Sequence, residues 1–218
     1  MNLALFDLDN TLLDGDSDYL WGEFLVELGV VDGDWYRSEN ERFYQVYKDG
    51  ELDINEFLGF ALQPLAAHPR ALLEEWRHRF LEEKIMPRIG AEALQLVDRH
   101  RNAGDLPVII TATNRFITEP IAQLFGVDRL LATELERQAG EYTGRVAGTP
   151  CFQEGKLTRL REWLDQPADQ LAEATFYSDS RNDLPLLEAV GRAVAVNPDD
   201  VLAEIARERG WPIMSLRA

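Results

Sequence analysis

The stretch of sequence that decides the fold is Leu3-Ala4-Leu5-Phe6-Asp7-Leu8-Asp9-Asn10-Thr11. Its first four residues are all apolar, and the run stops abruptly at Asp7. A short run that is apolar on both sides predicts a strand buried on both faces, as in a parallel sheet. Three more such runs occur at 106–110, 174–177 and 193–196, and each of them ends in polar residues.

Helical patterns separate these runs. Apolar residues recur at helical spacing in 88–103, 118–125, 154–164 and 199–209. Strands that alternate with helices predict an α/β fold, in which a Rossmann-like parallel sheet carries helices on both faces. Residues 140–146 have the pattern of a small β-hairpin arm.

The segment 16–85 differs from the rest of the chain because it contains no strand-like run. Its apolar residues recur at helical spacing, for example at Trp21, Phe24 and Leu28. We therefore predict an all-helical domain at 16–85, inserted after the first strand. Residues 1–15 and 86–218 would then form the α/β core.

Composition narrows the possible functions. The 218 residues include 22 Lys and Arg against 39 Asp and Glu, which gives a formal net charge of −17. So acidic a surface repels phosphate backbones and anionic lipid, which argues against nucleic-acid and membrane partners. The single cysteine, Cys151, excludes an internal disulfide and a cysteine-rich zinc site. No run is long enough to span a bilayer and the first residues do not resemble a signal peptide, so we expect a cytoplasmic protein, either a monomer or a homodimer.

The polar residues at the strand ends carry the candidate chemistry, because ligands of open parallel sheets bind beyond the carboxyl ends of the strands. These residues are Asp7, Asp9 and Thr11 after the first run, Thr111 and Asn114 after the second, and Asp179 and Asp183 after the third. Carboxylates that converge in one cleft must either be partly protonated or have a cation among them, and all-oxygen ligands favour Mg²⁺ as that cation. With Lys156 and a hydroxyl nearby, such a cluster predicts phosphoryl transfer through an aspartyl-phosphate.

Four short motifs resemble those of the haloacid dehalogenase (HAD) superfamily in its phosphatase form. They are Asp7-Leu8-Asp9-Asn10-Thr11, Thr111, Lys156, and Asp179-Ser180-Arg181-Asn182-Asp183. Their order and spacing match the family along essentially the whole chain. The helical insertion and the run at 140–146 ahead of Gly155-Lys156 are similar to the phosphoserine-phosphatase-like branch.

The resemblance implies a role for each motif residue. Asp7 would attack phosphorus, and Asp9 would protonate the leaving alcohol and then activate water. Thr111 and Lys156 would hold the phosphoryl oxygens. The implied ligands of Mg²⁺ are Asp7, the backbone carbonyl of Asp9, Asp179 and Asp183, the last of them directly or by positioning a metal-bound water. The helical insertion would act as a cap that closes over the substrate.

The residues expected to contact the substrate are Asp16, Asp18, Thr11, Asn114 and Arg115. Phosphoserine phosphatases carry an acidic residue nine positions after the nucleophile, where it binds the substrate amine, and Asp16 holds that position here. Thr11 is also expected to orient the nucleophile loop. For Asn114 and Arg115 an equally good interpretation is that they begin the helix after the strand.

These features together predict a Mg²⁺-dependent phosphomonoesterase acting on a small phosphorylated metabolite. The retained acidic residues favour a cationic substrate without a carboxylate, and histidinol-phosphate phosphatases are close relatives in this branch. We therefore place L-histidinol phosphate first, phosphoserine second, and a broad-specificity phosphatase close behind. Two other interpretations stay open at this point: a non-catalytic protein that binds a phosphorylated ligand, and a phosphotransferase.

Overall fold

The protein is described by a computed structural model that covers residues 2–217. Its strands are β1 (Leu3–Phe6), β2 (Leu106–Asn114), β3 (Arg129–Thr133), β4 (Leu135–Gln138), β5 (Glu141–Val146), β6 (Thr175–Ser178), β7 (Arg192–Val196) and β8 (Ile213–Met214). Six of them form one sheet in the order β3-β2-β1-β6-β7-β8, and every neighbouring pair is parallel. The predicted parallel sheet is confirmed. An antiparallel hairpin is formed by β4 and β5, but the segment 140–146 predicted to form it supplies only the second strand.

The helices are α1 (Ser17–Glu27), α2 (Gly33–Lys48), α3 (Ile54–Ala61), α4 (Gln63–Ala67), α5 (Arg70–Phe80), α6 (Ala91–Asn102), α7 (Arg115–Leu124), α8 (Glu154–Trp163), α9 (Pro167–Glu173), α10 (Leu184–Leu187) and α11 (Asp200–Arg209). The four helices predicted for the core correspond to α6, α7, α8 and α11. Helix α7 begins three residues before the predicted start, because the side chain of Asn114 caps it by accepting from the Ile117 backbone N–H at 3.3 Å. Each helix of residues 2–217 is either too short or too polar to cross a bilayer.

Strand β1 shows why its sequence is apolar on both sides. Ala4 and Phe6 pack into one hydrophobic cluster, and Leu3 and Leu5 pack into a second cluster. Successive side chains of a strand point to opposite faces, so the two clusters lie on opposite faces of the sheet. Asp7 ends the strand, and its backbone N–H still donates to Tyr177 O at 2.9 Å. The sheet thereby delivers the Asp7 side chain to its carboxyl edge.

Helices α1 to α5 form the predicted helical insertion between β1 and the rest of the sheet. A π-helical turn (Leu81–Ile85) and a 3₁₀ turn (Met86–Arg88) lead from α5 back to the core. An aromatic cluster joins insertion and core: the Trp21 ring lies 5.2 Å from Phe80 within the insertion and 5.8 Å from Phe116 of the core helix α7. Because apolar packing is continuous across this boundary, the division into domains at 16–85 stays a prediction.

Candidate active site

A cleft lies between the carboxyl edge of the sheet and the helical insertion. The polar residues that line it are Asp7, Asp9, Asp16, Asp18, Asn40, Thr111, Thr113, Lys156, Asn182 and Asp183. Its remaining walls are mostly aromatic and aliphatic: Tyr19, Phe43, Tyr44, Tyr47, Leu52, Ile54, Phe57, Ala112 and Phe152. Strands β1 and β2 and helix α8 thus bring residues more than a hundred positions apart into one cavity.

Lys156 lies at the floor of the cleft between two carboxylates. Its Nζ is 2.7 Å from Asp7 Oδ1 and 2.7 Å from Asp183 Oδ1, and the Lys156 and Asp183 side chains are only 4% exposed. Gly155 makes this placement possible, because a Cβ at that position would come within 2.0 Å of Pro150 O. Helix α8 can therefore begin tightly against the preceding loop and direct Lys156 inward.

Thr11 links the first and fourth motifs. Its hydroxyl lies 3.2 Å from Asp7 Oδ2 and 3.0 Å from Asp179 Oδ1, and it can donate to either oxygen. The same hydroxyl accepts from the Asp179 backbone N–H at 3.0 Å. This contact holds the two loops together, and it fits the expectation that Thr11 orients the nucleophile loop. The hydrogen-bond partners of Thr11 are thus residues of the site.

Asp9 is held by donors on both of its oxygens. Oδ1 accepts from the Ser17 backbone N–H at 2.6 Å, and Oδ2 accepts from Thr113 Oγ1 at 2.9 Å and from Thr111 Oγ1 at 3.3 Å. These contacts fix the carboxyl group at the boundary between core and insertion. Thr111, expected to hold a phosphoryl oxygen, therefore lines the cleft beside the expected proton donor.

Burial makes the cluster of carboxyl groups hard to ionise together. It raises the pKa of six side chains: Asp7, Asp9, Asp16, Asp18, Asp179 and Asp183. The pKa rises to about 6 for Asp183, despite Lys156, and to about 7 for Asp18. Burial alone would lower the pKa of Lys156, but the facing carboxylates of Asp183 and Asp7 raise it above its ordinary value. Of these six carboxyl groups only Asp7 and Asp183 contact the Lys156 ammonium group, so the site is suited to hold further positive charge.

The structure brings the expected metal ligands only partly together. Asp7 and Asp179 approach the same Thr11 hydroxyl, and Asp7 and Asp183 contact the same Lys156 ammonium group. Within residues 2–217, no three Asp, Glu, His or Cys side chains converge as a set of metal ligands. Mg²⁺ at phosphoryl-transfer sites uses one or two carboxylates and takes its other ligands from water and phosphate. The oxygen donors of Asp7 and Asp179 fit that ion, and the wider ligand set stays a prediction.

The expected substrate contacts divide into two groups. Asp16 caps α1 by accepting from the Tyr19 backbone N–H at 2.8 Å, and Asp18 lies in the first turn of that helix; both carboxyl groups line the cleft. Asn114 caps α7 and lies within hydrogen-bond distance of Asp18 Oδ1, at 3.4 Å, but neither Asn114 nor Thr11 is among the residues that line the cleft. The structure does not bring Arg115 to the cleft.

Instead, the Arg115 guanidinium is engaged on the other side of α7. It pairs with Glu134 at 2.7 Å and donates to Leu130 O at 2.9 Å, beside a second cavity. Consecutive helix residues point about 100° apart, so a residue adjacent to Asn114 in sequence faces a different surface. The alternative interpretation, in which Arg115 begins the helix, describes its position in this structure.

Sequence reasoning missed two kinds of site residue. The first is a pair of hydroxyls that orient the carboxylates: Thr113 on Asp9, and Ser178, which donates to Asp183 Oδ2 at 2.7 Å. The second is the wall formed by α2, whose cleft residues are Asn40, Phe43, Tyr44 and Tyr47. Their spacing of three, four and seven positions marks one face of a helix, and this signal could have identified them.

Comparisons with known proteins agree with this geometry. Residues 4–188 match the model of the haloacid dehalogenase-like hydrolase family. A histidinol-phosphatase of Neisseria meningitidis serogroup C is 45% identical over 99% of both chains. The phosphoserine phosphatase SerB1 of Mycobacterium tuberculosis is 33% identical over 98% of this chain and 70% of its own.

A solved structure extends the comparison to three dimensions. It is a protein of unknown function from Bordetella pertussis Tohama I, 46% identical, with a TM-score of 0.93 over 99% of both chains. The family match covers all four motifs that form the floor of the cleft. The chain therefore belongs to the haloacid dehalogenase-like hydrolase family.

Proposed function

We propose that this protein is a Mg²⁺-dependent phosphomonoesterase that acts through an aspartyl-phosphate on Asp7. The observation that carries the proposal is the buried contact of Asp7 with Lys156 at 2.7 Å, at the bottom of a cleft that also holds Asp9 and Thr111. A carboxylate nucleophile, an acid and a fixed ammonium are the groups that this reaction requires. HAD phosphatases are generally metal-dependent, and Mg²⁺ held by Asp7 and Asp179 would add positive charge where the phosphoryl group binds.

The proposed reaction has two displacements at phosphorus. In the first, an oxygen of Asp7 bonds to phosphorus, the bond from phosphorus to the ester oxygen breaks, and Asp9 gives its proton to the departing alkoxide. In the second, Asp9 takes a proton from a water molecule whose oxygen attacks phosphorus. The bond to Asp7 then breaks, which releases inorganic phosphate and restores both carboxyl groups. Burial raises the pKa of Asp9, which supports its role as the proton donor.

We propose L-histidinol phosphate as the preferred substrate. Asp16 and Asp18 line the cleft beyond Asp9, and Lys156 is the one Lys or Arg among the residues that line it. The cleft thus supplies acidic partners for an ammonium group and aromatic faces for a ring, but no second cation for a carboxylate. This supports an amino alcohol over phosphoserine. The name of the Neisseria meningitidis relative points to the same substrate.

A panel of phosphomonoesters tests the substrate proposal. Release of phosphate from L-histidinol phosphate, phosphoserine, ethanolamine phosphate and p-nitrophenyl phosphate is measured with Mg²⁺ for the wild type and Asp16→Asn. We expect the wild type to prefer the first ester, and Asp16→Asn to lose that preference. Asp14→Asn is the matched control, because Asp14 lies outside the cleft and pairs with Arg217. A wild type without preference for amine-bearing esters would refute the substrate proposal.

The same assay separates an enzyme from a protein that only binds a phosphorylated ligand. A phosphatase releases p-nitrophenol from p-nitrophenyl phosphate with Mg²⁺ and stops when a chelator is added. A binding protein shows no turnover under either condition. Added acceptor alcohols then distinguish hydrolysis from phosphoryl transfer, because a phosphotransferase forms a new phosphate ester.

A further inference from the structure

Asn40 of helix α2 lies in the cleft wall with its side chain almost completely buried. The residue is 4% exposed, yet it lines the cavity together with Asp16 and Asp18. No motif of the family covers it, and the reaction proposed above does not use it. Burial of an amide group is unfavourable unless its N–H and C=O groups form hydrogen bonds. An atom of the Asn40 amide that has no partner in the protein therefore indicates what a ligand at this wall could supply.

The orientation of the Asn40 amide is set by one hydrogen bond. Its Nδ2 donates to Tyr19 O at 3.0 Å, across the contact between α2 and α1. The opposite orientation would place two oxygen acceptors against each other, so Oδ1 must be the atom that points elsewhere. Within residues 2–217, Oδ1 accepts no hydrogen bond, and it is not among the buried atoms sealed off without a partner. The Asn40 Oδ1 is therefore an acceptor open to the cleft.

Gly22 of α1 supports this arrangement. A Cβ on Gly22 would lie 2.8 Å from Cγ, Nδ2 and Oδ1 of Asn40 alike, so the flat face of the amide rests directly on the glycine. Any larger residue would have to push the amide away. The absence of a side chain at Gly22 leaves room for the Asn40 amide, which packs against the backbone of α1 in one orientation.

The polar groups on the insertion side of the cleft are matched to a ligand rich in donors. The carboxyl groups of Asp16 and Asp18 at the start of α1 accept hydrogen bonds when ionised, and the Asn40 Oδ1 of the neighbouring helix α2 adds a neutral acceptor to the same cleft. An ammonium group satisfies the carboxylates. The remaining acceptor is left to water unless the same molecule carries a second donor, and an uncharged N–H is one such donor.

We propose that Asn40 Oδ1 accepts a hydrogen bond from a second N–H donor of the leaving alcohol, distinct from its ammonium group, and so determines specificity. This inference rests on the proposed function, since it assigns the part of the substrate that lies beyond the phosphate. In L-histidinol the ring N–H supplies that donor. Ethanolamine has the ammonium and the hydroxyl but lacks the ring. The two alcohols therefore differ in the ring N–H that is proposed to donate to Asn40 Oδ1.

The test measures binding of the two alcohols directly, by calorimetry, so that turnover does not enter it. The wild type should bind L-histidinol more tightly than ethanolamine. In Asn40→Ala the ratio of the two dissociation constants should fall about five- to tenfold, which corresponds to the loss of one uncharged hydrogen bond. Gly22→Ala keeps the amide but displaces it, and it should lower the same ratio. Asn55→Ala, at an exposed position in α3, is the matched control and should leave the ratio unchanged.

A purely structural role for Asn40 predicts a different outcome. Both dissociation constants would then rise together, and their ratio would stay constant. That result, or a wild type that does not distinguish the two alcohols, overturns the inference. Failure of the proposed function is recognised separately, because it shows as absence of phosphate release from phosphomonoesters. Thermal melting shows whether Asn40→Ala and Gly22→Ala are folded. If one of them is not, the ratio of dissociation constants measured for the other variant tests the inference.

Discussion

Replacement of Lys156 by methionine tests the electrostatic core of the site. Methionine keeps the unbranched shape of the side chain and removes the charge that lies 2.7 Å from both Asp7 and Asp183. All three side chains are at most 7% exposed, so water cannot replace the lost partner. Removing one member of a buried ion pair costs about 3–5 kcal/mol, and we expect Lys156→Met to lower the free energy of unfolding by that amount.

The assay is urea denaturation in the presence of a chelator, so that no divalent ion replaces the lost charge. Because the loss comes from carboxylates left without a partner, Asp183→Asn in the same chain should restore part of the stability. The double mutant should then be more stable than the sum of the single changes predicts, by about 0.5–3 kcal/mol. Turnover of p-nitrophenyl phosphate by Lys156→Met should fall about 10²- to 10³-fold, as expected when a fixed charge on the transition state is removed. Wild-type stability of Lys156→Met, or additive effects in the double mutant, would refute the reasoning.

Three further predictions concern the nucleophile, the acidic wall and the glycine that follows α2. Asp7→Asn should lose nearly all phosphatase activity and keep its circular dichroism spectrum, because Lys156 retains its contact with Asp183; an active variant would exclude the covalent step. Asp18, with its pKa raised to about 7 by burial, attracts an ammonium group only when ionised. The kcat/KM for an amine-bearing ester, divided by that for p-nitrophenyl phosphate, should therefore rise as pH increases through about 7. In Asp18→Asn this rise should be smaller. Gly50→Ala and Gly29→Ala should each lower the free energy of unfolding by about 1–2 kcal/mol, because the two glycines have similar positive φ values of +75° and +71°. The Gly50 Cβ would meet only the far end of the flexible Arg181 side chain, which can move aside. A loss several times larger in Gly50→Ala than in Gly29→Ala, measured by urea denaturation, would contradict this reasoning.

The features that could be predicted from sequence are those written into short local patterns. Strand β1 is apolar on both faces and ends at Asp7, so the position of Asp7 at the carboxyl edge followed from one stretch of chain. Strand β3 was missed because it begins with the exposed Arg129 and lies at the edge of the sheet. Strand β8 is only two residues long, too short for a periodic signal. Edge strands lack the double-sided burial that makes a central strand recognisable.

The residues of the site also differ in how well the sequence predicts their positions. The motif residues Asp7 and Lys156 lie in the cleft, because each is fixed by the strand or helix end that carries it. Arg115 does not, since one position of helix rotation turns it toward Glu134. The wall of α2 depends on which face of that helix meets the core, and this is decided by contacts such as that of Asn40 with Tyr19. The spacing of these residues marks one face of a helix, but only tertiary packing decides that this face meets the cleft.

The aromatic cluster between insertion and core restricts how a molecule can reach Asp7. Rotation of the whole insertion as one body would pull Trp21 away from Phe116 and expose both rings to water, at a cost of about 1.5–3 kcal/mol for each large side chain. The opposite rim is held by the bond from Asn182 Nδ2 to Tyr47 O at 3.1 Å and by the rings of Tyr47 and Phe152, whose centroids lie 6.2 Å apart. A hydrogen bond of this kind exchanges readily with water, so we expect the route for diffusion in and out to run past the C-terminal end of α2. Local opening of this rim would then set the rate at which the alcohol and phosphate are released, without movement of the whole insertion.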